Sequence, residues 1–442
     1  MGNKLPTNKR YTAVLLVTLM IIINYIDRTN FSVATPSLME EFGLGTGEMG
    51  ILMSAFLWSY ILLQIPIGVI INKFGPKWVI GISCAGWGLV TMLTGAANSF
   101  LTLLFLRILL GVTESSAYPT ATRVVSVWVP AKERTFSTGL FDCGNKVGSA
   151  FAPPIVALII VAWGWRMSFV VTGLIAVVYA VIFFVLYKEP DEHPTVSKEE
   201  LAYIRQDEVL SAEGKVKSEP IPLLKLFKHK NFMIASLGNC INSYMLGTFL
   251  FWIPTYLVMT RGLDTKQMGF YAMIPYIVAI VCELSFGKLF DRLTAQGKSL
   301  SKLRRTGIII GDLVCVMGIV GTIFATTAVG AVIGLSVFWG AFSVIGALSW
   351  SIPADLAPYG QAGGLTGVYN FIAQLGTATA SIATGFIAQS RFGFNGAFAI
   401  CIVCALICVI LYAIGDFSRL EVKDGIITQK KDTPKTDLDP CL

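Results

Sequence analysis

Apolar runs of about 20 residues, the length a helix needs to cross a bilayer, recur twelve times along this chain of 442 residues. Six lie near 11–33, 49–71, 78–98, 101–122, 136–162 and 168–187. Six more lie near 232–257, 267–289, 305–326, 330–351, 363–388 and 395–415. A polar stretch from Lys188 to Asn231 separates the two sets. A soluble chain of this length needs polar shells around about two to four domains, with about 25% charged residues. Here 14% are charged and 54% are hydrophobic. That excludes a soluble enzyme and a disordered chain, and it predicts an all-α integral membrane protein of twelve transmembrane helices. The expected divisions are a six-helix half at 1–187, a linker at 188–231, a second half at 232–416 and a tail at 417–442.

The formal charge of +7 invites a nucleic-acid reading, and the placement of the charges argues against it. Of 34 Lys and Arg, 27 fall in the N-terminal segment, alternate loops, the linker and the tail. Arg166, Arg261, Lys266 and Arg391 fall on the other side, and Arg28, Arg107 and Lys146 lie inside spans. Cytoplasmic loops collect Lys and Arg, so both termini and the linker are expected in the cytoplasm. The loop at 352–362 departs from this pattern, with no Lys or Arg. The first span is expected to be retained rather than cleaved, because Asp27 and Arg28 immediately precede the one plausible cleavage site, Ser32-Val33-Ala34.

No cysteine falls in an external loop, so no disulfide is expected. Cys401, Cys404 and Cys408 form a stripe on the last span and read as inert buried thiols. His193 and His229 both lie in the linker, which excludes histidine metal sites and Ser-His-Asp chemistry within the membrane. The glycine-rich segments around Gly81–Gly88 and Gly363–Gly367 lack the strand–helix setting and the Lys-Ser/Thr ending of a phosphate loop. They suit close helix packing. No cofactor and no ATP site is expected.

The two halves repeat. Their first spans start near 11 and 232, an offset of 221. Gly68 through Asn72-Lys73 follows the second span, and Gly287 through Asp291-Arg292 follows the eighth, an offset of 219. Parallel repeats of this kind place a binding site near the midplane. With this motif and the 6+6 division, the chain resembles the major facilitator superfamily. Asn72-Lys73 departs from that family's Asp-Arg, while Asp291 and Arg292 match it and are candidate gating residues.

A narrower resemblance rests on Asn24-Tyr25-Ile26-Asp27-Arg28-Thr29-Asn30, on Arg107 through Gly111, Glu114, Tyr118 and Pro119, and on Gly364 through Gly367, Tyr369, Asn370 and Phe371. These stretches look like the anion:cation symporter family, and within it like bacterial sugar-acid carriers for galactonate, glucarate and hexuronates. The resemblance implies that Asp27 and Glu114 are proton-linked acids and that Arg28 binds a carboxylate. It also implies that Tyr60, Gln64, Asn145, Ser349 and Asn370 line the pocket.

Charges inside a bilayer are costly and usually face a cavity or one another. Tyr25 and Arg28 share a helix face, with Asp27 about 100° away. Arg107, Glu114 and Tyr118 line one stripe of the fourth span. A purely structural ion pair, such as Asp27 with Arg107, is the competing explanation. Arg28 and Arg107 can each grip a carboxylate through two N–H groups, which Lys cannot match. Loss of water favours a neutral carboxyl and a neighbouring guanidinium favours a charged one. An anion that neutralises the Arg therefore makes proton binding more favourable, and the reverse.

Lys146 lies about ten residues into the fifth span, with Asp142 four residues before it. The pair either compensates itself along the helix or offers a cation to a second substrate carboxylate. The sugar-acid carriers that the chain resembles have an uncharged residue at this position. In the second half Asn239, Trp252, Tyr256, Ser349, Trp350, Asn370 and Gln374 supply hydrogen bonds and flat faces suited to sugar hydroxyls and C–H surfaces. Glu283 and Asp312 fall within two turns of the cytoplasmic span ends and read as snorkelling or gate residues.

The expectation is an inner-membrane, proton-coupled symporter for an organic anion, most specifically a sugar acid, working as a monomer in the lipid bilayer. The rivals are an exchanger or uniporter without proton coupling, and a non-transporting membrane sensor or enzyme.

Overall fold

Lys9–Phe42 forms α1, 34 residues long, which ends at Gly43 in the left-handed region. The computed structural model describes residues 8–205, 227, 229–296, 299–357, 362–418, 420–423 and 426–429. α2 runs from Thr46 to Thr94 and carries the second and third spans in one element. Its one break is Gly75, at φ 77° and ψ 158°, a conformation that glycine adopts without a Cβ clash. Pro76 follows and starts the third span.

The fourth span comes in two pieces, α3 (Phe100–Glu114) and α4 (Ala117–Trp128). Ser99 caps α3, its hydroxyl accepting from the Thr102 N–H at 3.2 Å. The interruption at Ser115–Ser116 has a cause in the sequence. Pro119 has no N–H for the Ser115 carbonyl, and its ring crowds the preceding turn. Glu114 is thus the last residue before a break in its own helix. α5 (Ala131–Trp163) and α6 (Trp165–Leu186) complete the first half.

Of the linker expected at 188–231, the described part carries a seven-residue helix, α7 (Lys198–Ile204), capped by Ser197. Glu200 is fully buried and accepts from the Arg10 backbone N–H at 3.1 Å. Arg10 also pairs with Glu133 at 2.9 Å, and that hydrogen bond holds the Glu133 carboxyl below the usual carboxylate range. The start of the linker is therefore fastened to the N-terminal ends of α1 and α5.

The second half comprises α8 (Lys230–Met259), α9 (Thr265–Ala295), α10 (Leu300–Phe324), α11 (Ala328–Ser349), the short α12 (Ile352–Leu356), α13 (Ala362–Gln389) and α14 (Gly393–Ile414). Among the described residues eleven segments are long and apolar enough to cross a membrane. α8, at 30 residues, is the twelfth helix of spanning length. Ser236, Asn239, Asn242, Ser243, Thr248 and Thr255 dilute its apolarity, and all six are buried. Outside, the pattern is that of a lipid-facing surface: Leu101, Phe105, Val185 and Ile410 are exposed while Asp27, Arg107 and Glu114 are enclosed.

The chain divides into two compact units, Met1–Val216 with Leu257–Met273, and Lys217–Tyr256 with Ile274–Leu442. The division falls in the expected linker, and a short segment around the α8–α9 turn groups with the first unit.

Two features lie beyond the sequence reading, and one expectation is corrected. Among the described residues of the tail, Leu420–Lys423 (β1) and Ile426–Gln429 (β2) pair antiparallel, with Leu420 opposite Gln429. The loop at 352–362, which lacks cations, holds α12 and offers Asp355 to Arg304 of α10. Asp312 does not snorkel. α10 begins at Leu300, earlier than the apolar run, and the Asp312 side chain is fully enclosed with neither oxygen hydrogen-bonded.

Within the first unit α1 packs closely on α5. A Cβ on Gly148 would lie 2.7 Å from the Ile22 carbonyl oxygen and 2.8 Å from the Tyr25 Cβ. Backbone cannot yield as a side chain does, so Gly148→Ala should force the two helices apart. Overpacking of this kind costs about 1–3 kcal/mol. A lowered thermal unfolding midpoint in detergent is the expected result, and an unchanged midpoint would contradict the close approach.

Candidate functional site

The first unit gathers its intramembrane charges around one ion pair. Arg28 Nε of α1 donates to Glu114 Oε2 of α3 at 2.8 Å. Their side chains are 11% and 0% exposed. The Arg28 guanidinium is also walled by rings, 4.7 Å from the centroid of Tyr60, 5.1 Å from Phe56 and 5.2 Å from Tyr25. Two polar atoms of this pair have no hydrogen-bond partner, Arg28 Nη2 and Glu114 Oε1. Each half of the pair thus keeps an unused donor or acceptor, which buried groups rarely do.

The Asp27–Arg107 pairing considered as a structural alternative does not form among the described residues. Asp27 is 2% exposed; Thr91 donates a long hydrogen bond of 3.5 Å to its Oδ2, and Oδ1 has no partner. Arg107, also 2% exposed, lies 4.2 Å from the Phe31 ring centroid and 4.7 Å from Phe56. Its Nε donates to the Leu52 carbonyl at 3.3 Å. Arg107 is therefore enclosed by aromatic faces, whereas Arg28 keeps an unfilled donor. Phe56 sits against both guanidinium groups.

A second pair lies on α5. Lys146 Nζ stands 3.8 Å from Asp142 Oδ2, and these side chains are 24% and 44% exposed. The other oxygen of Asp142 accepts from Asn145 Nδ2 at 3.0 Å and from the Tyr118 hydroxyl at 3.4 Å. The Tyr118 and Tyr25 hydroxyls are 3.4 Å apart. A chain of contacts thus runs from Lys146 through Asp142, Tyr118 and Tyr25 to Arg28, with Asn145 also bonded to Asp142. Tyr60 is buried with its ring against Arg28, and Gln64 is half-buried one turn further along α2.

In the second unit Ser349 is a hub. Its hydroxyl lies 3.2 Å from Asn239 Oδ1, 2.6 Å from the Tyr369 hydroxyl and 3.3 Å from the Tyr412 hydroxyl. Trp252 is fully buried, donates to the Ser381 carbonyl at 3.3 Å and packs on Phe394, so it serves as a packing residue of this bundle. Trp350 is 46% exposed, edge-on to Tyr369, and Asn370 is half-buried beside it on α13. Of the gating candidates, Arg292 is exposed, and the Asp291 side chain lies outside the described residues.

Phe56, Tyr369 and Tyr412 were not predicted. Phe56 precedes Tyr60 by one helical turn, a spacing that puts both on one face. Among the described residues no group of three His, Cys, Asp or Glu could hold a metal ion.

Comparison with known proteins follows the same lines. The family model described as Major Facilitator Superfamily matches residues 17–381. A D-galactonate transporter of Escherichia coli is 33% identical over 425 residues, covering 94% of this chain and 98% of that protein. A protein of Bacillus subtilis named "Probable galactarate/D-glucarate transporter" is 31% identical over 435 residues, covering 94% of each. Among solved structures, a bacterial homologue of the human lysosomal transporter Spinster, inward-facing and occupied, superposes with a TM-score of 0.74. It covers 93% of this chain and 97% of that one at 16% identity, which shows the fold alone.

Proposed function

The chain belongs to the Major Facilitator Superfamily, and from that premise we propose that this transporter is a proton-coupled symporter importing a sugar acid by alternating access. It is a multi-pass membrane transporter and not an enzyme. The observation that carries the finer reading is the Arg28–Glu114 pair, with Nη2 on one side and Oε1 on the other both unsatisfied. A carboxylate anion fits the first and a proton the second.

The cycle follows from charge. A proton on Glu114 removes the negative charge that holds Arg28. The guanidinium then presents Nε and Nη2 as a fork to the substrate carboxylate, the geometry that favours Arg over Lys. When the substrate leaves, Arg28 needs a counter-charge again, and Glu114 supplies it by giving up the proton. Anion and proton thus bind cooperatively and leave together. Asp27, which pairs with no cation among the described residues, is the second acid of the proton path. The hydroxyls and amides around Tyr118 and Asn145 suit the hydroxyls of a sugar chain. On this reading the protein works as a monomer in the inner membrane, with both termini cytoplasmic, and needs no cofactor besides the coupling proton.

The test uses purified protein in liposomes with the membrane potential clamped, offered D-galactonate and galactarate. These acids share stereochemistry and differ at C6, a hydroxymethyl group in one and a carboxylate in the other. An outwardly acidic gradient should drive accumulation, and a protonophore should abolish it. Uptake seen only as exchange against internal acid, indifferent to the gradient, would favour the uncoupled exchanger instead.

A further inference from the structure

The Arg28–Glu114 pair explains one anionic group and one proton. The Lys146–Asp142 pair repeats its chemistry, and three observations tie the two together. First, Lys146 and Asp142 are 3.8 Å apart, beyond the 2.7–3.2 Å of an N–H···O hydrogen bond. The contact is electrostatic and loose. Second, the hydrogen bonds to Asp142 come from elsewhere, from Asn145 and Tyr118 on its Oδ1. Third, Tyr118 meets Tyr25 hydroxyl to hydroxyl at 3.4 Å, and the Tyr25 ring lies 5.2 Å from the Arg28 guanidinium. A continuous polar chain therefore runs from one cation–carboxylate pair to the other, through side chains of α1, α4 and α5.

Resting on the uptake reading above, we propose that this is a two-point site for a dianionic acid: Arg28 takes one anionic group, Lys146 takes the other, and Asp142 is a second exchangeable proton site. Asp27, Glu114 and Asp142 formally offset Arg28, Arg107 and Lys146. A dianion brought alone into this set leaves two uncompensated negative charges in a medium where isolated charge is costly. Two protons, on Glu114 and Asp142, restore neutrality and release both cations to the substrate. The groups facing Asp142 are consistent with this role. Lys146 lies on its own helix, Tyr118 comes from α4, and Tyr25 and then Arg28 come from α1. α6, which also packs on α5, has one charged residue, Arg166, and that is tied to Glu41. A pair that merely compensated itself along α5 would need neither the Tyr118 hydroxyl nor its link to the Arg28 wall.

The same liposomes test this through equilibrium accumulation and the preference between the two acids. With the potential clamped, electroneutral transport concentrates a dianion with two protons by about 100-fold per pH unit, and a monoanion with one proton by about tenfold. At a gradient of one pH unit the wild-type protein should show about 100-fold accumulation of galactarate. In Lys146→Gln the ratio of half-saturating concentrations, galactarate over galactonate, should rise at least about tenfold, the scale of a lost charge-assisted contact. Lys146→Arg should keep the ratio within about threefold of wild type, on the scale of a retained charge-assisted contact. A ratio unchanged in Lys146→Gln, or galactarate accumulated only tenfold, overturns the two-point site while leaving coupled uptake standing. Wild-type protein that accumulates neither acid overturns the uptake reading and this proposal with it.

Discussion

Glu114→Gln should collapse gradient-driven accumulation to a ratio of about one while leaving exchange of internal for external acid measurable. With one proton per monoanion and no membrane potential, each pH unit supplies about 1.36 kcal/mol, a tenfold accumulation. The amide keeps the size of the carboxyl and can still bond Arg28 Nε, now 2.8 Å from Glu114 Oε2. It cannot take up or release a proton. Arg28 then has no negative partner in the pair, and substrate becomes its only counter-charge there. The variant should therefore bind the acid at least as tightly as the parent. Its half-saturating concentration should lose its dependence on pH over the range from about 6 to 8, which lies between ordinary carboxyl and amine titrations. Accumulation equal to that of the parent would move the coupling to Asp27 and sink this role for Glu114.

The sequence made the spans legible because the bilayer imposes a length and an apolarity that few soluble helices meet together. The contrast is weakest at α8, counted as a span near 232–257, where buried amides and hydroxyls lower the apolarity of a helix that is long enough to span. The charged site was legible for the complementary reason. Arg28, Arg107, Glu114 and Lys146 stand out against apolar neighbours. Which acid meets which cation was not legible. A period of 3.6 residues places Asp27 and Arg28 on adjoining faces of α1, and only the packing of α1 on its neighbours chooses between Asp27–Arg107 and Arg28–Glu114. Asp312 shows the same limit. Arg304 and Arg305 suggested a span starting there, whereas Ser299 caps a helix that begins at Leu300. Burial of Asp312 near Cys315 of its own helix and Cys408 and Tyr412 of α14 is a tertiary fact. Phe56 and Tyr412 carry no contrast in an apolar run, so nothing local marks them, whereas Tyr369 stands in a stretch that carries the family resemblance.

Arg28→Lys is the sharpest test of what the site recognises, because it keeps the charge and removes the fork. Truncation to Ala would confuse the result. It would leave Glu114, fully enclosed, without its cation, and an unpaired buried charge costs about 3–5 kcal/mol in stability. Lysine can still neutralise Glu114, so the unfolding midpoint in detergent should stay near that of the parent. Binding should not. The Nε and Nη2 donors would be replaced by one ammonium that cannot address both oxygens of a carboxylate in a plane. The rings of Tyr60, Phe56 and Tyr25 that wall the guanidinium would also lose their flat partner. A lost hydrogen bond to a charged group is worth about 1.5–3 kcal/mol, or about 10- to 150-fold in affinity. The measurement is acid-induced thermal stabilisation of the two proteins, titrated with D-galactonate. An affinity within about threefold of the parent would mean that Arg28 acts as a point charge, and the forked grip on the carboxylate would have to be given up.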